Sequence, residues 1–496
     1  MKEKIEKFKK MIKEKKMIDS MLALLQWDLE TQAPKGGYKL LSEMIGELSL
    51  KSYNLTTSQS FFEILSDLKK DIDMLDEVTR KEIELLEEEI EKIKVIPSEE
   101  YKMYSELTAK AQGIWEVARE KNDFESFAPV LEQIFNFNRK FIEYRGVKLE
   151  DIYSVILNDY EKGMSVEKLD FFFDELKKEI VPLLKEINKN KREFQDKIKF
   201  QVAECDQENF SKEILKYIGF DLERGIISKS AHPFTLTVNR DDVRLTTRYI
   251  KDLPFSSVFS TIHEGGHGIY EQNIDESLKD TILADGASMG IHESQSRFYE
   301  NIIGRSKEFW YGLLEKSKFK YKELDRLSLD EIYKGINEVS PSLIRVEADE
   351  LTYSLHIMVR YEIEKGILSG EYMIKDLPQI WNEKMYEYLG VVPKNDSEGV
   401  LQDVHWSCGL IGYFPSYALG NVYSLQILNA MKKEINVQGA LERGELKKIK
   451  SWLEEKIHRY GKLKTPKEIM LSVTGEELNP AYYIDYLKEK YREIYN

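Results

Sequence analysis

Apolar residues recur at spacings of three and four over most of the first 220 positions, the pattern of helices that bury one face. The stretch from Asp76 to Val95 is representative: Ile83, Leu86, Ile90 and Ile93 fall on one stripe, and the pattern stops ahead of Pro97. Ser98-Glu-Glu then reads as the capped start of another helix, and the run Glu87-Glu-Glu as a solvated face. One segment departs from this regime. Between Phe234 and Ile250, TLTV alternates with period two, NRDD supplies a turn and VRLTTRY resumes the alternation, which predicts a short β-hairpin. Helical patterning returns at Ser256 and continues to the end. The expected fold class is therefore mainly α, with one small sheet just ahead of the segment that carries the chemistry.

Composition narrows the picture. The length of 496 residues would suit two domains. No repeat, low-complexity linker or Gly/Ser hinge marks a boundary, however, so a single domain is expected. Pro (12) and Gly (27) are scarce for this length, in keeping with long helices and few turns. A net charge of −15 argues against nucleic acid as a partner, because phosphate binding asks for a basic face. Two cysteines, Cys205 and Cys408, cannot form a disulfide framework and fit a reducing cytoplasm. The basic start is not followed by an apolar run, since Asp19 and Asp28 interrupt Met17 to Trp27, so no signal peptide is expected. No apolar window is long enough for a membrane span.

The segment Ser260-TIHEGGHGIY contains H-E-x-x-H. Four residues of helix turn about 400° and rise about 6 Å, so His263 and His267 share a face and can reach one metal ion. Glu264 projects about 100° away from His263, where it can take a proton from water beside the metal. An ordinary amphipathic helix with two half-buried histidines would show the same letters. Two features weigh against that. Four of the seven histidines lie between positions 232 and 292, and Gly265, Gly266 and Gly268 sit inside the motif. Each glycine costs a helix interior about 1 kcal/mol relative to alanine, which suggests that something must approach the backbone closely.

A third ligand is needed. The metzincin pattern fails, because Tyr270 and Asn273 stand where it requires Gly and His. Glu271 lies on the same helix with the wrong reach. Glu293, which opens a new helical pattern after Gly290, is the preferred carboxylate, and Glu300 competes with it. His292 is assigned a hydrogen bond behind the metal or a substrate contact, since adjacent helical residues diverge. Tyr413 and Tyr417 are candidate donors to a developing oxyanion, or core residues. Arg244 is expected to order the hairpin through Asp242, with a substrate contact as the alternative. His405 and Cys408 could be core residues, and His356 and His458 read as structural.

These residues resemble the carboxypeptidase Taq family of thermostable metallocarboxypeptidases, whose fold is similar to those of neurolysin and angiotensin-converting enzyme. In order along the chain stand HPF (His232 to Phe234), DVRLT (Asp242 to Thr246), the H-E-x-x-H segment, HESQ (His292 to Gln295), IRVEAD (Ile344 to Asp349) and GVLQDVHW (Gly399 to Trp406). WDLETQAP from Trp27 also matches, with Ala33 in place of the usual methionine. The resemblance implies that His263, His267 and Glu293 hold one divalent metal ion, zinc first and cobalt second, with Glu264 as general base. It implies that His232 contacts substrate near the reacting carbonyl and that Arg345 holds the terminal carboxylate; Arg244, His292 and His405 stand beside them as candidate substrate contacts. Taken without the family, Arg345 pairs within its own segment, with Glu347 or Asp349. The resemblance further implies a helical subunit with a deep groove, residues 1 to about 220 forming one wall or lid, and a homodimer acting on peptides. Broad-specificity removal of the C-terminal residue is the expected activity. An oligopeptidase, or a helical scaffold with a structural metal, are the competing readings.

Overall fold

The computed structural model describes residues 1–189, 193–318 and 320–496. Helices dominate them from Lys2 to Tyr495, with one three-stranded sheet. The sequence sets many of the helix ends. Asp76 accepts from the Thr79 N–H at 2.9 Å and caps helix Glu77–Lys94, in which Ile83 and Leu86 are buried. The stripe then leaves the core, and Ile93 is exposed. The capping signature at Ser98 is not realised. Helix Ser98–Lys121 begins with Pro97 in the cap position and no side-chain cap, so Ser98 lies inside the first turn.

The core is divided. Helices Lys2–Thr31, Gln59–Lys69 and Glu77–Lys94 close over a small apolar cluster of their own, built on Phe8, Ile12, Phe61, Leu68 and Ile83. A continuous main core runs from Ala111 to Tyr495. Between the N-terminal helices and the main body lies a cavity of about 980 Å³, bordered by Lys16, Leu85, Tyr160, Val238 and Ser288.

The expected hairpin is present as β2 (Thr235–Asn239) and β3 (Asp242–Thr247), antiparallel with Thr235 opposite Leu245 and Leu236 opposite Arg244. The sheet is larger than the hairpin. A strand that the sequence reading missed, β1 (Gly225–Lys229), pairs parallel with β3, so the order is β1-β3-β2 and β2 is an edge. Helix Pro254–Gln272 packs on this sheet. No helix among the described residues is long and apolar enough to cross a membrane.

Candidate active site

The H-E-x-x-H residues lie on helix Pro254–Gln272, whose first residue is a proline in the position helices tolerate best. The three motif glycines are used by three different neighbours. A Cβ at Gly265 would meet Ile218 Cδ1 at 2.7 Å, at Gly266 the Gln295 carbonyl at 2.8 Å, and at Gly268 the Phe220 ring at 2.6 Å. The close approach at Gly266 brings in helix Met289–Arg297, which carries Glu293. Behind that helix runs Pro415–Glu434, where a Cβ at Gly420 would meet Glu293 Cγ at 2.4 Å. Backbone therefore packs directly against Glu293 at Gly420 and against the same helix at Gln295 and Ser296.

One ligand atom from each of His263, His267 and Glu293 fits within a span of 4.8 Å. Glu293 Oε2 lies 3.7 Å from His263 Nε2 and 3.4 Å from His267 Nε2. Two imidazoles and one carboxylate, the carboxylate almost wholly buried, form a donor set suited to a divalent ion. Burial pushes the His267 imidazole down to about 3, which keeps it in the neutral, ligating form. Burial disfavours charge on Glu293, but Arg297 and His263 outweigh it and hold the carboxyl well below the usual range.

Glu300 does not replace Glu293; it supports the other side of His263. Its Oε2 lies 2.9 Å from His263 Nδ1, leaving Nε2 to face Glu293. Helix Met289–Arg297 continues as a π-helical turn over Phe298–Gly304, and Glu300 sits in that widened turn. Arg297 reaches both carboxylates, donating to Glu293 Oε1 at 2.7 Å and Glu300 Oε2 at 3.2 Å, and Arg305 donates to Glu300 Oε1 at 3.2 Å.

A second chain of polar groups backs His267. Its Nδ1 is 2.5 Å from His292 Nδ1, and His292 Nε2 is 2.7 Å from Glu271 Oε1. Facing the Glu271 carboxylate, an acceptor, His292 Nε2 is the donor. His292 Nδ1 is then the acceptor for the His267 Nδ1–H, which frees His267 Nε2 as the ligand atom. Both nitrogens of His292 are thus engaged, and the ring stands behind His267. Glu271, with the wrong reach for a ligand, holds His292 in place behind one.

Glu264 is buried, and its Oε2 accepts from the Thr235 hydroxyl at 2.6 Å. Burial raises its pKa above the ordinary value, against the opposing influence of His263 and Thr235. Thr235 opens β2, so the edge strand and the carboxylate are tied together. His232 lies three residues earlier, in the exposed loop between β1 and β2. Arg244 makes a two-pronged pair with Asp242, both distances 2.8 Å, which is the ordering role.

The remaining predicted residues form a second cluster. Arg345 is buried, yet it pairs with neither Glu347 nor Asp349. Its Nε and Nη2 donate to Asp403 Oδ1 at 3.0 and 2.9 Å, and Nη1 to the Tyr353 hydroxyl at 3.2 Å. Asp349 instead caps helix Glu350–Ser369. The guanidinium stands 5.0 Å from the Tyr417 ring centroid. His405 Nε2 is 3.1 Å from the Tyr417 hydroxyl, and the Tyr413 and Tyr417 rings meet edge-on. Burial raises both phenols, which therefore remain neutral donors. Tyr353 joins this cluster to the candidate metal ligands: its hydroxyl accepts from Arg345, its ring lies 4.2 Å under the Arg297 guanidinium, and Arg297 donates to Glu293. Of the other histidines, His458 is buried with Nε2 2.9 Å from Gln295 Oε1, and His356 is fully buried. Cys408 is exposed. Sequence reasoning missed Thr235, Arg297, Asp403 and Arg360; of these only Arg297, four residues after Glu293 and three before Glu300, stands at a spacing that could have found it.

Comparisons with known proteins point to one family. The model of the carboxypeptidase Taq (M32) metallopeptidase family matches residues 7–491. Carboxypeptidase 1 of Bacillus subtilis is 48% identical over 483 residues, 96% of this chain and 95% of that protein. The BsuCP crystal structure superposes with a TM-score of 0.90 at 46% identity, covering 99% of both chains. The M32 carboxypeptidase of Deinococcus radiodurans R1 gives 0.95 at 31% identity, again over 99% of both.

Proposed function

Because the chain belongs to the carboxypeptidase Taq (M32) metallopeptidase family, and is a metallocarboxypeptidase, we propose that it removes the C-terminal residue from peptides of varied sequence with Glu264 as general base. The observation that carries this division of labour is the convergence of His263, His267 and Glu293 within 4.8 Å, with the Arg345 cluster joined to them through Tyr353 and Arg297. These three residues would hold one divalent ion, zinc in preference to cobalt given two imidazoles and a carboxylate. When bound, the ion supplies Lewis acidity for the scissile carbonyl and lowers the pKa of water.

The chain's own groups do the rest. Glu264 accepts the proton of the attacking water and returns it to the leaving amine; its raised pKa suits both halves of that cycle. The Thr235 hydroxyl keeps one oxygen of Glu264 in place. Tyr413 and Tyr417 are neutral donors for the oxyanion, and Tyr413 is favoured because the Tyr417 hydroxyl is committed to His405. Arg345 anchors the terminal carboxylate. His232, on the loop leading into β2, is proposed as a further contact near the carbonyl. The edge of β2 aligns the peptide backbone, and the helices of residues 1 to about 220 form one wall of the groove within a single domain. A homodimer in the cytoplasm completes the reading, which two exposed free cysteines fit.

Incubating the protein with a mixed pool of free and amidated peptides, followed by mass spectrometry, tests this. Loss of single C-terminal residues from free peptides alone is expected; internal cuts or released dipeptides would sink it.

A further inference from the structure

A second guanidinium lies behind Arg345, and the proposed mechanism does not use it. Arg360, on helix Glu350–Ser369, is completely buried. Asp403 is divided between the two arginines: Oδ1 accepts from Arg345, and Oδ2 accepts from Arg360 Nε at 2.7 Å. Gln402 bridges the same pair, its Oε1 accepting from the Arg345 backbone N–H at 2.9 Å and from Arg360 Nη2 at 2.7 Å. Arg360 Nη1 donates to the His356 carbonyl at 2.7 Å, so this side chain is fully used where it stands.

The charges do not balance. Both guanidinium groups stay protonated. Burial disfavours charge on Asp403, but Arg345 and Arg360 hold it ionised, well below the usual carboxylate range. Burial pushes His405 down to about 4, so it adds no charge at neutral pH. Glu364, one turn beyond Arg360, accepts from Tyr153, Trp406 and Gly412 and among the described residues forms no ion pair with Arg360; burial pushes its carboxyl up to about 7 despite the Arg360 charge, so it supplies at most part of an anion at neutral pH. Two cations therefore share one anion in a site where unneutralised charge is costly. Arg360 has no exposed surface and Arg345 retains 6%. The excess positive charge can meet a ligand only through Arg345.

We propose that Arg360 is a positioning residue for substrate binding: it neutralises Asp403, so that Asp403 can fix Arg345 in place without consuming the charge Arg345 presents to the terminal carboxylate. With Asp403 alone behind it, Arg345 would form a closed ion pair and attract a second carboxylate weakly. This inference rests on the reading of Arg345 as the carboxylate anchor.

The test is steady-state kinetics on one peptide with a free and an amidated C-terminus, with circular dichroism and metal content measured on each variant. Arg360→Met should raise KM for the free peptide by about tenfold, the lower range for a hydrogen bond to a charged group, with kcat and the amidated peptide little changed. Arg360→Lys keeps the charge and should stay near wild type. The double variant Arg360→Met/Asp403→Asn removes one cation and one anion together and should recover most of the lost KM. An Arg360→Met variant that loses kcat on both peptides alike, or a double variant no better than the single, overturns the proposal. Should Arg360→Met fail to fold, Arg360→Gln against the double variant makes the same comparison. Arg345→Ala separates the two layers. If it lowers kcat/KM on both peptides alike, the carboxylate reading itself falls; if its loss is confined to the free peptide and that of Arg360→Met is not, only the role of Arg360 falls.

Discussion

The two halves of the active site are built from the same materials with opposite sign. On the metal side, Glu264, Glu293 and Glu300 are set against Arg297 and Arg305. On the other, Arg345 and Arg360 are set against Asp403. The first cluster has a carboxylate to spare and the second a guanidinium. In the proposed function each meets a ligand of the opposite charge, a divalent cation in one case and a peptide terminus in the other. The supports differ too. The carboxylates stand on continuous helix and its π-helical extension, whereas Arg345 and Asp403 come from short irregular segments that helix Glu350–Ser369 ties down. A buried charge needs partners in either setting, but only the metal side asks for fixed ligand geometry.

Substitutions can break this contrast in graded ways. The largest effect is expected from Glu264→Gln, which removes proton transfer while leaving the ligands intact. Its kcat should fall by roughly 10² to 10⁴-fold with near-stoichiometric metal by elemental analysis, and near-normal turnover would defeat the mechanism. Glu293→Ala should lose metal on mild dialysis with helix content preserved. Glu300→Gln should only weaken metal affinity, by roughly 10 to 100-fold in chelator competition, as expected of a group behind a ligand; the reverse order would exchange their roles. Across the site, Arg345→Ala should lower kcat/KM by roughly 10 to 150-fold on free peptides, the range for a charged hydrogen bond, while metal content stays unchanged. The smallest effect belongs to Arg244→Gln. Its partly exposed pair with Asp242 should contribute no more than about 1 kcal/mol, visible as a slight drop in Tm with KM unaltered. A specific rise in KM would return Arg244 to the substrate.

The contrast also separates what the sequence discloses from what it hides. The metal side was legible because its chemistry is periodic: His263 and His267 one helical turn apart, three glycines between and beside them, and Glu293 on the next helix. Spacing alone left Glu293 and Glu300 level. Seven residues apart on a helix, they face the same way, and only three-dimensional placement assigns one to each side of His263. The guanidinium side was read from its neighbours in sequence, which was misleading. The partner of Arg345 is 58 positions away, and Asp349 was occupied by a helix terminus. β1 was missed for a related reason. Only Ile226 and Ile227 give GIISK strand character, and its parallel partner lies beyond an intervening strand, so no turn announces the pairing.

The three glycines of the motif helix bear on the order in which the molecule assembles. At about 1 kcal/mol each, they leave Pro254–Gln272 a poor helix by itself, and a peptide of that segment should be largely coil in water. The helix exists because Ile218, Phe220 and the chain at Gln295 press into the space those glycines leave open. His263 and His267 therefore come into register only after residues on both sides of the motif have docked. A nascent chain that has emerged only as far as Gln272 would carry both histidines without a site for them, and metal capture becomes a late event, governed by tertiary packing rather than by local sequence.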